Sequence, residues 1–143
     1  METSPLAKPV LVIDGSRFDD LEGFYDEVAR QLVPDATWGR NLDAFNDILR
    51  GGFGTPEGGF VLHWKNAARS RRVLGHAETA AWLRQGMSRI HPSNVPEWEA
   101  RLARALVGKG ETLFDILVAI VRVHCAGGSE EDDGIELRLE EKA

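Results

Sequence analysis

The chain has a single cysteine in 143 residues. That excludes a disulfide framework and a zinc site built on cysteines. No stretch reaches the roughly 18 consecutive apolar residues needed to span a bilayer. Residues 1–5 carry no basic segment ahead of an apolar one, so a secretory signal is not expected there, and the simplest compartment is the cytoplasm. Also missing are a phosphate-binding loop, a nucleophile elbow, a dinucleotide fingerprint and a His-x-x-x-His helix. There is no internal repeat and no low-complexity tract. With 43% hydrophobic and 28% charged residues the chain reads as an ordinary folded protein. Its length fits one domain spanning 1–143, large enough to bury a core unaided.

Charge is unevenly placed. Residues 1–60 hold 5 basic and 11 acidic side chains, residues 61–110 hold 9 and 3, and residues 111–143 hold 3 and 9. The acidic first segment favours a cationic partner over nucleic acid. The basic middle leaves a polyanion as the other option.

The first strand is predicted at 10–13, where Val10, Leu11, Val12 and Ile13 form a run suited to a strand buried on both faces. Phe18, Leu21, Phe24, Val28 and Leu32 then fall at helical spacing, with Asp19, Asp20 and Glu22 at the favourable N-terminal end and Pro34 beyond. A second helix is predicted over 41–50, stopped by Gly51 and Gly52. A strand follows at 60–64, then helices at 67–74, 78–90 and 97–107, with Pro92 and Pro96 as breaks. In the second of these, Ala81, Trp82 and Met87 are available for burial. Residues 112–123 are apolar enough for a strand, but their length favours a buried helix. Ile135, Leu137 and Leu139 alternate with charges as a final edge strand. This order predicts an α/β fold: a small three-stranded parallel sheet with helical crossovers, enlarged by a helical insertion at about 75–110.

The second helix carries the chemistry. Leu42, Phe45, Ile48 and Leu49 form its apolar face, while Asp43, Asn46, Asp47 and Arg50 lie opposite. Asp43 and Asp47 are neighbours of like charge. Either they are ordinary solvated residues, Asp43 near the helix N-terminus and Asp47 reaching Arg50, or they await a cationic pocket. Trp38, just upstream, is equally an interface anchor or a core plug.

Residues 38–47, Trp-Gly-Arg-Asn-Leu-Asp-Ala-Phe-Asn-Asp, closely resemble the motif that opens the second helix in the barstar family, intracellular inhibitors of secreted guanyl-specific ribonucleases. The likeness extends to Ile13-Asp14-Gly15, the helix after it, Gly51 and the strand at 60–64. It resumes more loosely at Glu111-Thr112-Leu113 and the last strand. The resemblance implies a barstar-like fold and inhibition by occlusion. Asp43 and Asp47 would meet the cationic side chains that hold the substrate phosphate. Trp38, Gly39, Asn41, Asn46 and Gly51 would line the same ribonuclease-binding surface. It implies a one-to-one complex of a monomer with the ribonuclease, no cofactor and no metal. Thr37, Asn46 and Gly52 stand where aromatic residues occur in the family. The apolar run Val118-Ala119-Ile120-Val121 offers no counterpart to an acidic residue the family carries late in its last helix.

The insertion has no counterpart in the short inhibitors. Trp82 with Leu83 and Ile90, and Trp98 with Leu102 and Leu106, read as packing. Arg101 and Arg104 read as a solvated face. The alternative is an RNA- or protein-binding adaptor using this basic segment. An enzyme is not expected. His63, His76, His91, His124 and Cys125 show no arrangement suited to nucleophilic catalysis. Asp43 and Asp47 alone are a sparse ligand set for a divalent metal.

Overall fold

The computed structural model describes residues 8–141. Three strands, β1 (Val10–Asp14), β2 (Val61–Lys65) and β3 (Glu136–Leu139), form one parallel sheet with β2 in the centre. The helices are α1 (Leu21–Gln31), α2 (Leu42–Arg50), α3 (Ala67–Val73), α4 (His76–Gly86), α5 (Val95–Leu106) and α6 (Leu113–Val123). The α/β architecture expected from the sequence, a small three-stranded parallel sheet with helices between its strands, is therefore present. None of the described helices is long and apolar enough to cross a membrane.

Register decides which side chains meet. Leu11 lies opposite Leu62 and Ile13 opposite Trp64, while Leu62 and Trp64 face Leu137 and Leu139. Side chains alternate across a strand, so these six share one face. That face joins the main core, where Trp64 stacks on Phe24 at 5.4 Å and meets Phe114 at 5.2 Å. Trp64 Nε1 donates to the Ser70 hydroxyl at 2.9 Å, satisfying a polar group that burial would otherwise penalise. Val10, Val12, His63 and Arg138 occupy the other face and lie outside the core cluster. The expectation that β1 is buried on both faces is thus corrected. β1 is an edge strand, and of its five residues only Ile13 is fully buried.

Helix ends follow local chemistry. Asp20 caps α1 by accepting from Gly23 N at 2.8 Å. The apolar stretch after Thr112 is a helix, as its length suggested, opened by a reciprocal capping box between Thr112 and Asp115. Several boundaries differ from the sequence reading. α4 ends at Gly86 and continues only as a 3₁₀ turn, Met87–Arg89. Pro96 sits in the first turn of α5, where its missing N–H has no helical partner to lose, so it starts the helix region instead of breaking it.

α4 and α5 build a small second cluster from Ala80, Leu83 and Ala105, with Trp82, Trp98 and Leu102 against it. Ala81, Trp82 and Met87 are only half-buried, while Leu83 is fully buried. The Trp82 and Trp98 rings lie 5.2 Å apart, and the Arg101 guanidinium stands 5.7 and 5.8 Å from their centroids. A Cβ on Gly86 would sit 2.8 Å from the Trp98 ring, so the close crossing of the hairpin needs glycine there.

Candidate functional site

The loop entering α2 is pinned from beneath. Arg40 adopts a left-handed φ of 54° and donates to Asp26 at 2.6 Å, with Glu22 at 3.5 Å. The Asp26 hydrogen bond is the main reason its guanidinium holds its proton even more firmly than usual. Trp38 turns inward. It is 9% exposed and meets Tyr25 edge-on at 5.5 Å. Its indole N–H is buried without a hydrogen-bond partner among the described residues. Burial pushes the Tyr25 hydroxyl up to about 12. Of the two options for Trp38, the structure therefore shows a core plug. Gly39 is exposed, and a Cβ there would stand 3.1 Å from the Ala44 side chain.

α2 begins at Asn41, whose side chain accepts from Ala44 N at 2.7 Å. Phe45, Ile48 and Leu49 bury the inner face of the helix. Asp43 and Asp47 are exposed on its outer side, as the periodicity predicted. Asp43 has no ion-pair partner among the described residues. Asp47 receives one hydrogen bond from Arg50 Nη1 at 3.1 Å. Arg50 is mostly committed elsewhere, donating from Nε and Nη2 to the two oxygens of Glu130 at 2.6 and 2.9 Å. This bidentate pairing holds the Glu130 carboxyl below its ordinary value of 4.5. Gly51 closes the helix at φ 110°, a conformation that strains any residue with a Cβ.

Asn46 is half-buried, and its Oδ1 lies 2.7 Å from Nε2 of His124. The His124 ring is fully buried, and its Nδ1 lies 2.5 Å from Asp133 Oδ2. Two links thus fasten α2 to the turn after α6: Asn46–His124–Asp133 and Asp47–Arg50–Glu130. Sequence reading weighed His124 only as a candidate for enzyme chemistry. Neither link leaves a local signal, because the partners lie 78 and 80 positions apart.

Among the described residues, one group has metal-ligand spacing: His124, Glu130 and Asp133, with ligand atoms within 4.8 Å of one another. Its donors are already engaged by Arg50 and by each other, so the cluster serves as a clasp. Asp43 and Asp47 belong to no such group. The other histidines are dispersed, His63 on Glu140, His76 on the Gly110 carbonyl and His91 on Ser93. Burial pushes the Cys125 thiol up, away from the reactive thiolate.

The chain that carries this capped, packed helix, entered through Trp-Gly-Arg-Asn, matches the family model described as Barstar (barnase inhibitor) over residues 8–91. The chain belongs to the barstar family. The match runs from β1 through α4, so it takes in the first part of the expected insertion and stops before α5. All seven site residues expected from the sequence lie within it. The barstar family is a family of ribonuclease inhibitors. No curated protein and no solved structure matches the chain.

Proposed function

We infer that this member of the barstar family is a cytoplasmic inhibitor of a secreted, guanyl-specific microbial ribonuclease and protects the cell that makes both. The observation that carries the reading is the pair of exposed carboxylates, Asp43 and Asp47, on a helix fixed at both ends within the family match. The ribonuclease offers the opposite charge, a cleft built to hold phosphate. Carboxylates on a packed helix lose little freedom on docking, and complementary charge speeds encounter and sets register. Asp43 presents a full charge. Asp47 shares its charge with one donor of Arg50, and a cationic cleft can compete for it at this exposed position. Gly39 and the backbone around Asn41 bring the loop close, Asn46 contributes a polar contact, and Gly51 lets the far end of α2 turn away without a side chain. Trp38 supports the loop from the core. The complex is one-to-one, needs no metal and involves no membrane.

The basic insertion favours the adaptor reading less. Arg101 is held by Trp82, Trp98 and Glu111, at 3.4 Å from the last. It is a structural cation and not a free phosphate contact.

Titration of the chain into a barnase assay tests the proposal. The wild type should abolish activity at one equivalent. Asp43→Ala or Asp47→Ala should each weaken binding about ten- to hundredfold, as expected for losing a hydrogen bond to a charged group. Undiminished inhibition by both variants would contradict it.

A further inference from the structure

His124 reaches the candidate binding face from inside the protein. Its two ring nitrogens face two acceptors, Asp133 Oδ2 at 2.5 Å and Asn46 Oδ1 at 2.7 Å. A neutral imidazole has one N–H and one lone pair, so it cannot donate to both. Asp133 is the stronger acceptor, and the short charge-assisted contact keeps a proton on Nδ1. Two arrangements then satisfy the buried ring. As an imidazolium it also donates from Nε2 to Asn46 Oδ1, which turns the Asn46 amino group outward. As a neutral ring it accepts at Nε2 from the Asn46 amino group, which turns the carbonyl outward. Asn46 is half-buried, on the same polar face of α2 as Asp43 and Asp47, so its outer half belongs to their surface.

We propose that His124 is a positioning residue whose protonation decides whether Asn46 offers a donor or an acceptor on the outer face of α2. The consequence for binding rests on the ribonuclease reading above. A cationic cleft is served by the outward carbonyl, so the neutral ring gives the tighter complex. The charged groups around the ring are Asp133 and Glu130 from the turn and, from α2, Arg50, which reaches the cluster through Glu130 and also holds Asp47. At the α6 C-terminus the His124 carbonyl accepts from Ile135 N at 3.1 Å.

The test begins with the free, full-length chain. Nuclear magnetic resonance follows the His124 ring nitrogens and the Asn46 side-chain amide from about pH 5 to about pH 9. The Asn46 amide signals should move with the same midpoint as the ring, and its protons, once corrected for the base-catalysed intrinsic rate, should be less protected from exchange in the low-pH form. A ring that titrates while Asn46 stays still, or a ring that keeps one protonation state throughout, overturns the proposal. Affinity for barnase is then compared between wild type and Asn46→Ala across the same range. The wild type should gain about three- to tenfold more than the variant on passing to the neutral ring. Parallel profiles contradict the recognition step. Absence of barnase binding at every pH contradicts the ribonuclease reading and the recognition step built on it, while the coupling of ring and amide is judged separately from the free chain.

Discussion

Arg50 shows how one side chain is shared between fold and surface. Two of its donors hold Glu130, and a third reaches Asp47. The partner at i−3 was legible from helical spacing. Glu130 was not, because nothing in a run of acids says which of them will face a helix formed 80 positions earlier. The hydrogen bonds from Arg50 depress the Glu130 carboxyl, so its stabilising contribution is complete above the ordinary 4.5 and fades as pH falls through the lowered folded value. Arg50 is exposed and Glu130 only half-buried, so the effect is modest and screened by salt. Glu130→Gln should therefore unfold at a slightly lower temperature than wild type near neutral pH, with the gap closing on acidification. Thermal unfolding between about pH 7 and about pH 3 checks this, and a gap that persists in acid would contradict it.

At the level of elements, α2 was the most legible part of the chain. Leu42, Phe45, Ile48 and Leu49 repeat at helical spacing, Asn41 is a strong cap, and Gly51 is a stop. All three signals are local, and the helix has the bounds they imply. Asn41→Ala should cost about 1 kcal/mol, lowering the melting temperature by roughly 3 °C. It should weaken ribonuclease binding less than loss of either Asp43 or Asp47, because it frays the helix start without removing a charge. Paired thermal and binding measurements separate the two effects. β1 was legible as a strand but not in its burial. Whether a strand is central or at an edge depends on pairing with residues some fifty positions on, which an apolar run does not encode. Trp38 failed to declare its side for a similar reason. Its neighbour Tyr25 belongs to α1, and only the packed fold brings the rings together.

For the whole molecule, the uneven charge of the sequence becomes a division of labour. The acids of the first segment and of the turn after α6 meet at α2, linked through Arg50 and His124. The basic middle contributes α3 to the main core, and α4 and α5 form a hairpin around a smaller one. Family membership rests on residues 8–91, and α5 lies beyond that match. The central claim is that the outer face of α2 fills a ribonuclease cleft by charge. Displacement of a bound guanylate nucleotide from barnase tests it most directly. The wild-type chain should release the nucleotide one for one, and the double variant Asp43→Asn, Asp47→Asn, alike in shape but without the charge, should release none at the same concentration. Chain and nucleotide bound together on the ribonuclease, or equal displacement by the double variant, would contradict the account.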